Sequence, residues 1–230
     1  MEFIYLVPGN WFELKNLNKK KAIPFDINAL KDEILNQVNN RSDKLSFIDI
    51  TFGSKYVNKS VDSIEFYLDQ DKFNLIAEIL SKETRHPIIT FHGTSLKSVE
   101  SILRTGYFIP GLNKNLDKNL NKNLDKKAVD SIRVAHGSAY GIGVYSSPFF
   151  DKAMYYTTPD NKYVYMLINL VFLGKMKLIP PHGTCTNFGA PVNGIYADGS
   201  NTRIVYGLEQ LITAESNRVI PIAVMKISIS

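Results

Sequence analysis

The chain has 230 residues, of which 44% are hydrophobic and 21% are charged, and its formal net charge is +5. These values are ordinary for a globular protein with one core and one or two domains, and they exclude a disordered or fibrous chain. A single cysteine, Cys185, excludes an internal disulfide and a cysteine-based zinc cluster, and the four histidines are scattered, so we expect no metal site. No apolar run reaches the roughly 20 residues of a membrane span, and no signal peptide is evident, so we expect an intracellular protein, cytoplasmic or nuclear.

The positive charge gives little support to a nucleic-acid partner. The polar repeat at 112–127 contains five lysines and two aspartates, and it therefore contributes +3 of the net +5. The rest of the chain is close to neutral. We interpret the repeat as an expanded surface loop, since its composition is of low complexity.

Residues 1–84 predict an α+β region of unknown role. A short strand is predicted for "FIYLV" and a helix for "FDINALKDEILNQVNN", with Asp26 as its N-cap. A second strand is predicted for "LSFIDITF" and a second amphipathic helix for "DKFNLIAEILSKE". Because Pro87 follows the polar stretch "SKETRH", we place a domain boundary near residue 85.

Residues 85–230 predict a mainly antiparallel α+β domain. The strand "IITFHGT" leads into a helix over 95–105, which Ser95 begins and Gly106 ends. Long β-prone runs follow in "KYVYMLINLVFLGKMKLI", "RIVYGLEQLITAE" and "RVIPIAVMKISI". No helix of the size that a parallel crossover needs lies between these runs, which favours antiparallel pairing.

Three segments of this second region contain candidate catalytic or ligand-binding residues. They are His92-Gly93-Thr94 at the end of a strand, the glycine-containing segment "YGIGVYSS" with Tyr145, and Glu209 inside the apolar run "RIVYGLEQLI". Each has an ordinary explanation, as a satisfied core histidine, a core aromatic residue and an acid facing solvent. Two glycines two positions apart also allow a flat ligand to approach the backbone closely.

Together and in this order, the pieces resemble the catalytic domain of the poly(ADP-ribose) polymerase family of ADP-ribosyltransferases. The matching segments are "HGT", "SILRTGYF", "YGIGVY" and "LEQLITAESNRVIPIAV", and they extend over 85–230. The resemblance implies an ADP-ribosyltransferase-like fold, with a mainly antiparallel split sheet and flanking helices. It also implies transfer of ADP-ribose from NAD, the co-substrate, to a protein acceptor with release of nicotinamide. We expect mono- rather than poly-ADP-ribosylation.

The resemblance implies a role for each residue of the motif. His92 is expected to bind a ribose hydroxyl of NAD, and the backbone of Gly93 to bind the nicotinamide carboxamide beside the hydroxyl of Thr94. Tyr145 is expected to stack on the nicotinamide ring. Glu209 is expected to bond the ribose 2′-hydroxyl and to stabilise an oxocarbenium-like transition state.

The remaining expected NAD-binding residues are Tyr140, Gly141, Ser147 and Tyr156. Tyr156 would close the second face of the nicotinamide ring, and Tyr155 is the alternative. Ala153 stands where the family has a serine that binds the carboxamide. Either Ser146 or Ser147 compensates for this serine, or nicotinamide is held less firmly.

Two other functions and one other carboxylate stay open at this point. The tRNA 2′-phosphotransferases share the fold and a His-Gly-Thr strand end, but they need arginines to grip phosphates, and the arginines here are few and spread. A non-catalytic module that binds NAD or ADP-ribose is the other alternative, against which the presence of Glu209 argues. Glu215 is the alternative catalytic acid.

Overall fold

The structure is a computed structural model that describes residues 59–83, 87–109, 140–180, 191–205 and 210–229. Outside the described residues lie three elements predicted for the N-terminal region, namely "FIYLV", "FDINALKDEILNQVNN" and "LSFIDITF". The 112–127 repeat and Glu209 also lie outside them.

The described part of the chain contains eight strands and three α-helices. In chain order they are β1 (Lys59–Phe66), α1 (Gln70–Lys82), β2 (Ile88–Thr94), α2 (Leu96–Thr105), β3 (Val144–Ser146), α3 (Phe150–Met154), β4 (Tyr163–Val171), β5 (Met176–Ile179), β6 (Thr202–Val205), β7 (Gln210–Thr213) and β8 (Val219–Ile229). A 3₁₀ turn, Ser216–Arg218, precedes β8.

The strands form two four-stranded sheets, with the strand orders β1-β8-β4-β2 and β3-β7-β6-β5. Neighbouring strands are antiparallel except β5 and β6, which run parallel. The predicted α+β class with mainly antiparallel pairing is therefore confirmed. Phe91 of β2 and Ser147 exchange two backbone hydrogen bonds, of 2.6 and 2.9 Å, and so join the two sheets beside the end of β2.

Helix α2 begins and ends where the sequence predicts. The side chain of Ser95 accepts the N–H of Ser98, which satisfies one of the unpaired donors of the first turn. Gly106 ends the helix with a φ of 75°, in the region that favours glycine. Among the described helices, none has both the length and the hydropathy needed to cross a bilayer.

The predicted β-prone run "RIVYGLEQLITAE" forms two strands. β6 and β7 are antiparallel neighbours, with Val205 opposite Gln210. Glu209 immediately precedes β7 in the sequence and lies outside the described residues.

The described residues before the expected boundary near 85 complete the first sheet. β1 pairs with β8 from Lys59↔Ile229 to Phe66↔Ala223. In α1, Ile76 is fully buried within the apolar cluster formed by β4 and β8. Residues 1–58 lie outside the described residues, and no role is assigned to them.

The core between the two sheets positions the end of β2 and the start of β3. Val144 of β3 and Leu211 of β7 pack in one cluster with Leu167 of β4 and Val99 of α2. All four side chains are at most 5% exposed. The burial of this cluster favours a fixed distance between the sheets at the point where the predicted site residues lie.

Candidate functional site

His92 lies near the end of β2, where two contacts fix its ring. Nδ1 lies 2.7 Å from the carbonyl oxygen of Tyr145, a residue 53 positions away in the chain. The ring also meets Tyr107 edge to face, with 5.2 Å between the ring centroids. Because a carbonyl oxygen can only accept, Nδ1 carries the proton, and Nε2 is the acceptor of the neutral ring. Two predicted site residues are thus brought together.

Gly93 lies where a helix packs directly against β2. A Cβ on Gly93 would lie 1.9 Å from the carbonyl oxygen of Ala153 in α3, which is far below any real contact distance. Packing therefore requires glycine here, a reason that the sequence pattern does not reveal. Phe91 turns its N–H and C=O toward Ser147, and alternation along a strand turns those of Gly93 to the same side, away from β4.

The loop before β3 holds the hydroxyl group of Tyr145. This hydroxyl donates to the carbonyl oxygen of Gly141 at 2.7 Å and accepts the N–H of Tyr140 at 3.1 Å. Gly141 has a φ of 111°, which residues with a Cβ rarely adopt. Glycine at this position therefore lets the loop curl around the phenol group.

Tyr145 and Tyr156 approach the same face of β7. Tyr145 lies opposite Ile212, and Gln210, two residues from Ile212, shares its face. The amide nitrogen of Gln210 donates to the hydroxyl of Tyr156 at 2.7 Å. Both rings predicted to enclose nicotinamide thus lie near the first residues of β7, whereas Tyr155, the alternative, is exposed.

The buried phenols predict how stability depends on alkaline pH. Burial raises the pKa of Tyr145 to about 12, against the opposing N–H of Tyr140 and charge of Arg203. Burial also raises the pKa of Tyr107 and Tyr196. Unfolded phenols lose their protons near the ordinary pKa of about 10, so the unfolded state is increasingly favoured above that pH. We expect stability to hold below pH 10.0 and to fall as the pH approaches about 12.

This expectation is checked by following far-ultraviolet circular dichroism and tyrosinate absorbance in one alkaline titration. The late-ionising phenols should gain absorbance together with the loss of secondary structure. Ionisation of all phenols near pH 10.0 in a protein that keeps its secondary structure would contradict the burial of these rings.

The serine hydroxyls beside Tyr145 face the protein interior. Ser147 is 2% exposed, and its Oγ accepts the N–H of Phe149 at 3.0 Å. Ser146 is 5% exposed, and its Oγ has no hydrogen-bond partner among the described residues. Neither position presents an exposed hydroxyl in place of the serine that is replaced by Ala153. Contact between Ser147 and a ligand stays a prediction.

Of the two candidate carboxylates, only Glu215 lies within the described residues. Glu209 lies outside the described residues, directly before Gln210. Glu215 accepts the Nε–H of Arg218 at 2.6 Å, and the same guanidinium donates to Glu83 at 2.5 Å. Glu215 thus belongs to an ion-pair cluster that ties the 3₁₀ turn to the end of α1.

A shallow cleft of about 340 Å³, widely open to solvent, lies next to the end of β2, and its lining includes neither His92 nor Tyr145. Its lining includes Ser95 and Glu100 of the α2 region and the segment 158–160. The carbonyl oxygen of Thr94 accepts the N–H of Thr158 at 3.4 Å, so Thr94 adjoins this cleft.

A buried arginine, to which the sequence pattern assigns no role, contacts the loop before β3. Arg203 is 2% exposed, and it donates to the carbonyl oxygen of Tyr140 at 3.1 Å and to Asp198 at 3.0 Å. Burial alone would raise the pKa of Asp198, but hydrogen bonds from Ser200 and the Arg203 guanidinium outweigh it and hold this pKa below its usual value. Arg203, like Glu209, is an ionisable residue inside an apolar run, and such a residue must be paired or functional.

No family model and no curated protein matches this sequence. In the ranges that the structure describes, no three His, Cys, Asp or Glu side chains gather closely enough to hold a metal ion. Beside the junction of the two sheets, the described groups that could contact a ligand are the imidazole of His92, the backbone of Gly93 and the phenols of Tyr145 and Tyr156.

Proposed function

We propose that this chain is an NAD-dependent ADP-ribosyltransferase with an ADP-ribosyltransferase-like fold. It would transfer ADP-ribose from NAD to a protein acceptor and release nicotinamide. The observation that carries the proposal is the 2.7 Å contact between Nδ1 of His92 and the carbonyl oxygen of Tyr145. Two members of a three-residue motif meet across the sheet junction, as a shared pocket would require.

Nicotinamide binding would use the backbone of Gly93 and the rings of Tyr145 and Tyr156. A carboxamide offers an N–H donor and a C=O acceptor in one plane, and Gly93 directs one acceptor and one donor away from β4. Both tyrosines approach one face of β7, and stacking between them would hold the pyridinium ring flat. This arrangement of groups fits the nicotinamide end of NAD.

In the proposed reaction, the bond between ribose C1′ and the nicotinamide nitrogen breaks. Its electron pair goes to that nitrogen, whose positive charge is thereby neutralised. A lone pair of the acceptor forms the new bond to C1′, and the acceptor loses its proton. The ribose becomes oxocarbenium-like in the transition state, so the carboxylate of Glu209 would stabilise it electrostatically.

His92 would position the nicotinamide-bearing ribose. Its Nδ1 proton is directed at Tyr145, and in the neutral ring Nε2 would accept a hydrogen bond from a ribose hydroxyl. We favour transfer of a single ADP-ribose unit to the acceptor.

The test is incubation of the purified protein with NAD labelled in its adenylate part, with and without a cell lysate. We expect nicotinamide release together with label on protein. NAD binding without nicotinamide release would instead indicate a binding module. Removal of a 2′-phosphate from RNA, with no label on protein, would indicate a phosphotransferase.

A further inference from the structure

Arg203 lies on the same sheet face as Tyr145, two strands away. In the second sheet Tyr145 is opposite Ile212, and Ile212 is opposite Arg203. Residues that lie directly opposite one another in antiparallel strands share a face. The three side chains therefore form a row across β3, β7 and β6.

The guanidinium of Arg203 contacts an acid, a loop carbonyl and an aromatic ring in this buried position. Nε donates to Asp198 at 3.0 Å, Nη1 donates to the carbonyl oxygen of Tyr140 at 3.1 Å, and Cζ lies 3.9 Å from the ring centroid of Tyr196. Asp198 is held in turn by Ser200, whose N–H and hydroxyl donate to it at 3.1 and 2.5 Å. The positive charge is therefore neutralised within the protein.

Three successive carbonyl groups of the loop at 140–143 are held by this network. The carbonyl of Tyr140 accepts from Arg203, that of Gly141 accepts from Tyr145 at 2.7 Å, and that of Ile142 accepts from Tyr196 at 3.0 Å. The first and third donors stack on each other. The loop thus joins the phenol of Tyr145 to the guanidinium of Arg203.

We propose that Arg203 is a positioning residue for Tyr145, which fixes the loop at 140–143 and through it the ring that would stack on nicotinamide. This inference rests on the proposed function. The pairing with Asp198 means that Arg203 acts by geometry and does not add charge to the site. Tyr196 supports the same loop from the stacked position.

An arginine suits this task and a lysine does not. The planar guanidinium can donate to Asp198 and to the Tyr140 carbonyl at once while it stacks on an aromatic ring. A lysine keeps the charge, and so can keep the pair with Asp198, but it has no planar group to stack and no fork of donors. Arg203→Lys therefore separates neutralisation of Asp198 from support of the loop.

For Arg203→Lys we expect KM for NAD to rise by about tenfold, the effect of one lost hydrogen bond to a charged group, with kcat nearly unchanged. The matched control is Lys177→Gln. Lys177 lies 3.8 Å from Asp198, and its side chain is 51% exposed. This variant therefore removes a charge near Asp198, which Arg203→Lys keeps, and it leaves the donors to the loop in place. It should keep the wild-type KM.

Tyr196→Phe is the second variant, for the case in which Arg203→Lys does not fold. It removes the hydroxyl that donates to the carbonyl of Ile142 and keeps the ring that stacks on Arg203. The KM for NAD should therefore rise here as well. Arg203→Lys and Tyr145→Phe should also be non-additive in KM, because both act through one loop. Unchanged KM in the folded Arg203→Lys and Tyr196→Phe variants, or additive effects, would overturn the proposal.

Hydrogen exchange of the Tyr140 amide provides a readout that needs no NAD. This amide donates to the Tyr145 hydroxyl, and we expect it to exchange faster in Arg203→Lys but not in Lys177→Gln. If the wild-type protein releases no nicotinamide, the proposed function fails, and the exchange rates still decide whether Arg203 holds the loop. Equal exchange in all three proteins would overturn that role.

Discussion

Glu209→Gln is expected to lower the rate of nicotinamide release by at least about 100-fold, the effect of removing one preorganised stabilising group. Glutamine has nearly the same size and can still bond a ribose hydroxyl, so the affinity for NAD should be retained. It carries no negative charge to oppose the positive charge that develops on the ribose. Steady-state kinetics of nicotinamide release should therefore show a lower kcat with a similar KM.

Two control variants test whether the loss of rate is specific to Glu209. Glu78→Gln removes an exposed acid on α1 whose partner is Lys82 one turn away, so it should leave the rate unchanged. Glu215→Gln breaks the pair with Arg218, so it should lower the melting temperature but not kcat. Normal turnover in folded Glu209→Gln protein would mean that another group stabilises the transition state.

Gly93→Ala is expected to reduce both stability and nicotinamide binding. The new methyl group would meet the backbone of Ala153, at 1.9 Å from its oxygen and 2.9 Å from its carbon, so α3 and β2 must move apart. Overpacking of this kind costs about 1–3 kcal/mol, which exceeds the roughly 0.4–1 kcal/mol that Gly-to-Ala changes can gain through the unfolded state. The melting temperature should fall by several degrees, at about 2–4 °C per kcal/mol for a chain of this size.

Thermal unfolding and competitive inhibition by nicotinamide measure the two effects. Thr94→Val is the control, since it changes the next residue of β2 without adding volume against α3, and it should keep nearly the wild-type melting temperature. A Gly93→Ala protein with wild-type stability and wild-type inhibition by nicotinamide would show that α3 does not press on β2.

The sequence predicts the parts of this fold that local signals determine. Ser95 and Gly106 mark both ends of α2 because a side-chain acceptor and a positive φ are needed at those points. The absence of crossover helices between the late β-prone runs predicts antiparallel pairing, and every neighbouring pair of strands except β5 and β6 is antiparallel. The resemblance implies that the side chains of His92, Tyr145 and Glu209 converge on one site. The described residues contain a contact between the His92 ring and the backbone carbonyl of Tyr145, and the convergence of the three side chains stays a prediction.

Other features depend on contacts between distant segments, which no local pattern encodes. The pairing of β1 with β8 and the parallel pairing of β5 with β6 follow from which apolar faces match in the folded chain. The packing reason for Gly93 requires knowledge that α3 crosses β2 at Ala153. The support of the loop at 140–143 by Arg203 joins residues 63 positions apart.

The junction between Phe91 and Ser147 has a consequence for ligand choice. Two hydrogen bonds join the two sheets at this one residue pair. The next residue of β2 whose backbone N–H and C=O point to the same side is Gly93. A primary amide placed there would act as one more rung of the backbone ladder, because it both donates and accepts. A carboxylic acid of the same shape, ionised at neutral pH, lacks the donor and would set a negative charge against a carbonyl dipole. If nicotinamide binds here, the backbone of the strand alone would distinguish it from nicotinic acid, and no side chain would be needed.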